Sequence, residues 1–181
     1  MFVLPLLNQD STLTITKPYE SKSYVNLTIQ MLAKFGIEII ETSSNSYLIK
    51  GNQHYKAQDV SVEGDFSQLA FFAVLGTLNN TLSCSNMDMS SIQGDKAILD
   101  CIPSFTSNKD TITFAKKQPA PQTIDLSNCP DLGPILCVLA SFTNGETNIV
   151  NAARLRMKES DRILAMETVL KKWGVDINIH I

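Results

Sequence analysis

The sequence predicts an α/β fold built from repeated units, and three observations carry that expectation. A pattern of strand, polar loop, helix and strand recurs three times along the chain. The corresponding threonines Thr12, Thr81 and Thr147 fall at nearly equal intervals. An apolar helix precedes the second and third copies, at 68–78 and 132–142. The interval is longer than solenoid periods, so each unit is a subdomain of several elements. Alternating strand and helix patterns lead to layers of sheet and helix.

The elements follow in order. The apolar start Met1-Phe-Val-Leu-Pro-Leu-Leu7 lacks a basic n-region and is broken by Pro5, which argues against a signal peptide. It reads as the end of a helix that began earlier, and so as a truncated chain. Ser11-Thr-Leu-Thr-Ile15 is a strand, Lys17–Ser23 a polar loop, and the helix after it ends at Lys34-Phe-Gly-Ile-Glu-Ile39. Residues 50–67 are polar and without helical period, which fits either an ordinary strand–turn–helix connection or a domain crossover. There Gly64 permits a tight turn, and Asp65 or Ser67 can cap the helix that follows.

The second copy is looser: Thr81-Leu-Ser-Cys84, the loop Ser91-Ile-Gln-Gly-Asp95, a helix over 97–103 and the strand Thr111-Ile-Thr-Phe114. The third runs from Thr147-Asn-Ile-Val150 through a charged stretch. A helix with Ile163, Met166, Leu170 and Trp173 at three- and four-residue steps then ends at Lys172-Trp-Gly-Val-Asp-Ile177.

Composition sets limits. A chain of 181 residues, 44% hydrophobic and 18% charged, holds one globular domain or two small ones. Its net charge of −3 leaves no footprint for nucleic acid or an anionic membrane surface, and no stretch is long enough to span a bilayer. Cys84, Cys101, Cys129 and Cys137 form no CxxC pair, so buried thiols in a reducing cytoplasm are expected. His54 and His180 are isolated, which suits surface or strand-edge positions better than metal ligation.

Chemistry concentrates in Arg154-Leu-Arg-Met-Lys-Glu-Ser-Asp-Arg-Ile163, which sets Arg154, Arg156, Lys158 and Arg162 beside Glu159 and Asp161. The run lies where a strand gives way to a helix beginning at Ser160, and the unpaired N–H groups and dipole of a helix start favour anions. If the first turn reaches back to Lys158, that residue shares a face with Arg162. Such a site suits phosphate or carboxylate, with an acid at hand for proton transfer. The plainer alternative is a solvated helix start laced with salt bridges.

Taken together, Val62-Glu-Gly-Asp-Phe-Ser67 with Ala70-Phe-Phe72, Ile124-Asp-Leu-Ser-Asn-Cys-Pro-Asp-Leu132 and Leu155-Arg-Met-Lys-Glu-Ser-Asp-Arg-Ile163 resemble the 5-enolpyruvylshikimate-3-phosphate synthase family, in order and spacing. Ser21-Lys-Ser-Tyr24 resembles that family's sugar-site loop, and the likeness covers essentially the whole chain. The related UDP-N-acetylglucosamine enolpyruvyl transferases share the fold but not the Lys-Glu-Ser-Asp-Arg form. The resemblance implies βαβαββ units of the inside-out α/β barrel type. It makes residues 1–59 the last unit of one domain and 60–181 two units of the second, with a crossover near 57–65. A complete family member would be roughly twice as long, with further phosphate- and substrate-binding groups on both sides.

The resemblance also implies the roles. Asp131 is the general base near the 5-hydroxyl of shikimate 3-phosphate, although a carboxylate before the helix at 132–142 could equally be an N-cap. Lys158 contacts the reacting hydroxyl and the sugar phosphate region, and Glu159 moves the proton at C3 of phosphoenolpyruvate. Arg162 holds the phosphoenolpyruvate phosphate, while Ser21 and Tyr24 contact shikimate 3-phosphate. No metal or organic cofactor is implied, since fixed cations can stabilise the developing charge. Asp131, Lys158, Glu159 and Arg162 are therefore expected on one concave surface. The implied partners are the two substrates, together with the remainder of the enzyme or a second copy of the chain. A catalytically silent fragment, its charged loop purely structural, is the competing expectation.

Overall fold

The computed structural model describes residues 1–180, which divide into one compact unit over Met1–Val62 and a second from Glu63 onward. In the first unit a single 3₁₀ turn, Leu4–Leu6, takes the place of the helix end expected at the start of the chain. The strands β1 (Ser11–Thr14), β2 (Ile39–Ser43) and β3 (Ser46–Ile49) follow, with helix α1 (Lys22–Lys34) between the first two. The sheet order is β1-β3-β2, antiparallel throughout, with Leu48 opposite both Thr12 and Ile40. Central β3 alternates as a half-buried strand should, with Tyr47 and Ile49 turned into the core. Helix α1 stops in a Schellman turn: Gly36 has φ +81, its N–H donates to the Ala33 carbonyl, and the Ile37 N–H donates to that of Leu32. Leu32 and Ile37 are both buried beneath it.

The second unit begins with α2 (Phe66–Leu78), capped by Asp65, whose carboxylate accepts from the N–H groups of Ser67 and Gln68. The helix starts two residues ahead of the apolar run that revealed it, because the cap is Asp65 and not Ser67. Gly64 serves a different purpose from the tight turn expected of it. A Cβ there would lie 2.4 Å from the Asn86 carbonyl oxygen, and the Gly64 N–H donates to that same oxygen at 2.8 Å. Gly64→Ala is therefore expected to cost about 1–3 kcal/mol by overpacking against backbone, read as a lower urea midpoint. An unchanged midpoint would refute the close approach.

Next come β4 (Leu82–Cys84), a 3₁₀ turn (Gly94–Ala97) leading into the short helix α3 (Ile98–Cys101), β5 (Phe105–Asn108) and β6 (Thr111–Phe114). Helix α3 is shorter than the span expected over 97–103. Their order, β4-β6-β5, repeats that of the first unit, so the copy expected to be looser is the closer match in topology.

Then β7 (Thr123–Asp125), a 3₁₀ turn (Pro130–Leu132), α4 (Gly133–Ala140) and β8 (Asn148–Val150) form a strand–helix–strand crossover whose strands run parallel. The apolar run at 132–142 thus yields a helix shorter at both ends. A last 3₁₀ turn, Ala153–Met157, leads to α5 (Arg162–Lys172). Helix α5 begins after Ser160, not at it, and ends in the same Schellman turn as α1, with Gly174 at φ +79 and Val175 donating to Leu170.

The strand expected after this helix is absent among the described residues. In the other two copies the strand after the helix is held by a third that inserts beside it.

Phe66, Ala70 and Val74 of α2, Ile112 and Phe114 of β6, and Leu132, Leu136 and Leu139 around α4 form one core, with Leu155 at its edge. All four cysteines are free thiols. Burial pushes Cys129 up to about 12, and Cys101 and Cys137 up to about 11, so these thiols are inert. Among the described residues no helix is long and apolar enough to cross a membrane.

Candidate functional site

Parallel pairing of β7 with β8 sets the site. Thr123 lies opposite Asn148 and Asp125 opposite Val150, so the two strands end at one edge. The loop carrying Asp131 leaves from β7 and the charged run leaves from β8 at that edge, where open α/β sheets place their ligands. Two ties hold these exits together. The Leu126 N–H donates to the Val150 carbonyl, and the Asn151 side chain donates to Asp125 Oδ1 at 2.9 Å. Asn151 adopts φ +56, a left-handed conformation that asparagine tolerates. The Asn151 hydrogen bond, with those from Ser127, holds the Asp125 carboxyl below its ordinary value. Leu155 then docks the 3₁₀ turn on the start of α4: a Cβ at Gly133 would meet Leu155 Cδ1 at 2.6 Å. Only glycine leaves room for that contact beside Asp131.

The second lock lies in the charged run itself. Arg156 Nη1 pairs with Asp161 Oδ2 at 2.8 Å, while Asp161 Oδ1 accepts from the Leu164 N–H at 3.0 Å. One carboxylate thus caps α5 and closes the 156–161 loop. The helix start expected to receive an external anion is occupied by the chain's own Asp161. The Leu164 N–H holds the Asp161 carboxyl below its ordinary value near 3.8, with further help from Arg156. A depressed folded-state value means stability that is present above the unfolded value and lost as pH falls through the folded one. Acid unfolding of Asp161→Asn is therefore expected to show a flatter dependence on pH below about 4 than the parent chain. Identical acid limbs in urea titrations would refute the cap.

Lys158 is extended (ψ −166) and lies outside the helix, so it does not share a helical face with Arg162 as expected. The two nevertheless meet on Asp131, whose Oδ1 lies 3.0 Å from both Lys158 Nζ and Arg162 Nη1. Asp131 sits within the 3₁₀ turn and pairs with these cations, which replaces the N-cap alternative. Arg162 has a second partner: its Nε and Nη2 donate to the two carboxylate oxygens of Glu159, each at 3.0 Å. That fork holds the Glu159 carboxyl below its ordinary value, and the Arg162 guanidinium is raised mainly by the same contact.

Convergence on Asp131 and pairing along the helix start thus coexist. Cavities of ≈ 280 and ≈ 250 Å³ lie around Lys96 and around Gln122, the second lined in part by Cys129 and Leu132 on either side of Asp131. Asp131, Lys158 and Arg162 are each partly exposed and form one charged patch. A carboxylate flanked by two cations can accept a proton from a hydroxyl, and a guanidinium edge can hold phosphate or carboxylate through two parallel bonds.

Ser21 and Tyr24 belong to the first unit. Ser21 stands at the start of α1 with φ +58, and its carbonyl accepts from the Tyr24 N–H at 3.1 Å. Nearby, Lys22 pairs with Glu41 at 2.7 Å. The expected residues therefore fall into a pair at α1 and a cluster of Asp131, Lys158, Glu159 and Arg162. In the sequence Arg156 is one cation of the charged run with no role of its own, and Asn151 is not singled out. For Arg156 the signal was an acid at helix-capping position five residues on; for Asn151 it was an asparagine directly after a strand.

A family model described as EPSP synthase (3-phosphoshikimate 1-carboxyvinyltransferase) matches residues 1–180. Two curated relatives named 3-phosphoshikimate 1-carboxyvinyltransferase, from Clostridium acetobutylicum and Clostridium novyi, are 49% and 48% identical over 98% of the chain. The chain spans 42% of the length of each. Among solved structures, an EPSP synthase from Acinetobacter baumannii matches 90% of the chain with a TM-score of 0.69 at 21% identity, and the match takes in 39% of that protein. The enolpyruvyl transferase NikO from Streptomyces tendae matches 80% with a TM-score of 0.62 at 16% identity, over 36% of its own chain. These two likenesses show the fold, that of the enolpyruvyl transferases.

Proposed function

The chain belongs to the EPSP synthase family, and from that premise we propose that it supplies part of an active site that transfers enolpyruvyl from phosphoenolpyruvate to the 5-hydroxyl of shikimate 3-phosphate, a step in aromatic amino acid biosynthesis. One observation carries the reading: Asp131, Lys158, Glu159 and Arg162, from two loops far apart in sequence, converge through contacts of 3.0 Å. The relatives' names favour this substrate pair over a UDP-sugar.

In the proposed reaction Asp131 takes the hydroxyl proton as the oxygen attacks C2 of phosphoenolpyruvate, and Glu159 in its acid form delivers a proton to C3. Loss of phosphate from the adduct, which departs with the proton Asp131 had taken, and return of the C3 proton to Glu159 regenerate the vinyl group and restore both side chains. Lys158 steadies the charge developing on the reacting oxygen, and Arg162 holds an anionic group of phosphoenolpyruvate. Ser21 and Tyr24 contact shikimate 3-phosphate from the first unit. We assign residues 1–59 to the last unit of one domain and those from about 60 to two units of the other, with the crossover near 57–65. A cytoplasmic setting suits four free thiols, of which Cys101 and Cys129 are buried.

The chain matches less than half of the relatives' length, and a competent pocket must close and exclude water. Phosphate release is therefore expected to be at background with the chain alone. It should rise when the remaining segments of the Clostridium acetobutylicum relative are supplied in trans. Background release from the reconstituted mixture, with binding of the segments shown, would favour the silent-fragment alternative.

A further inference from the structure

The two edges of the Arg162 guanidinium are used differently. Nη1 is anchored on Asp131, which also binds Lys158, and both cations are largely covered. The Nε–Nη2 edge is filled by Glu159, whose side chain is 68% exposed and whose two oxygens reproduce the spacing of a bound oxyanion. The more covered edge is thus held by Asp131, and the other is closed by the solvated side chain of Glu159. We propose that Glu159 is an intramolecular placeholder: it occupies the anion-binding edge of Arg162 until an oxyanion of the ligand takes that edge, and the exchange releases the carboxylate for proton transfer.

This inference rests on the proposed anion site at Arg162 and adds an order of events to it. While the fork is closed, the charged groups facing Glu159 are Arg162 and, at longer range, Lys158, with its own backbone N–H also donating to it. All three favour the ionised form, which suits a placeholder and not a proton donor. An incoming oxyanion takes the Arg162 hydrogen bonds, the largest of these causes, from Glu159 and so raises its proton affinity. Proton delivery is then possible only after the ligand has arrived. Asp131 keeps the guanidinium oriented during the exchange, because its contact uses the other edge. The exposed fork is a weak competitor, so the exchange demands little of the ligand.

The test uses this chain as it stands, with inorganic phosphate and acetate as separate probes, followed by NMR of the Arg162 Nε–H. Both Glu159→Gln, which removes the charge, and Glu159→Asp, which keeps it but shortens the reach, are expected to bind either probe about two- to five-fold more tightly than the parent. At saturation the Glu159 carboxyl carbon in the parent should titrate at a higher pH than in the free chain. A gain in Glu159→Gln alone would show simple charge removal and overturn the placeholder. Equal affinity in all three proteins, with Arg162 perturbed, would also overturn it while leaving the anion site intact. No perturbation of Arg162 by either probe, in any of the three, would overturn both the placeholder and the site on which it rests.

Discussion

Asp131→Asn is expected to lower enolpyruvyl transfer about 10²–10⁴-fold, the usual contribution of a positioned base, in the reconstituted mixture of chain and complementary segments. The amide keeps the volume of the carboxylate, and its oxygen can still accept from Lys158 or Arg162, each now 3.0 Å from Asp131 Oδ1. It cannot take a proton from a hydroxyl. The fold should survive, since breaking a partly exposed pair costs about 1 kcal/mol, a small part of the 5–15 kcal/mol typical of a domain. Two readouts separate the effects: initial rates of phosphate release, and a thermal melt of the chain alone. A rate within tenfold of the parent, with the melt unchanged, would remove Asp131 from the role of base.

Phe114→Ala has the largest expected effect on stability, about 3–5 kcal/mol for an aromatic deleted from a packed core. Phe114 is fully buried and ends β6 opposite Leu82 of β4 and Phe105 of β5. Its ring lies 6.4 Å from that of Phe105, at a tilt of 49°. Helix α2 comes down directly on it at Gly76, where a Cβ would sit 2.8 Å from the Phe114 Cβ. Because helix and sheet already touch where Gly76 meets the Phe114 Cβ, they cannot close the cavity by moving together. Urea unfolding followed by far-UV circular dichroism should show the loss in the transition of the second unit. A loss below 1 kcal/mol would mean that the sheet repacks and that the Gly76 contact is not a rigid one.

What the sequence by itself determined is local. The Lys-aromatic-Gly-aliphatic endings at 34–37 and 172–175 mark two helix ends, because only glycine enters the left-handed region at no cost. The long apolar run of α2, a cap at Asp65 or Ser67 and the charged identity of 154–162 are likewise readable, since each depends on neighbours within a few residues.

The tertiary structure decided the rest. Strands β7 and β8 have three residues each, too few to carry a periodicity, and their parallel pairing is what brings Asp131 to Lys158 and Arg162. The sequence offered Asp131 as base or cap, and Lys158 as a helical neighbour of Arg162. Choosing between these required knowing that Asp161 takes the helix cap, that Leu155 fits over Gly133, and that Lys158 stays extended. The topology shared by β1-β3-β2 and β4-β6-β5 was hidden for the same reason. Strand order depends on which distant segments together bury apolar surface and satisfy backbone groups, and no window of sequence contains both partners.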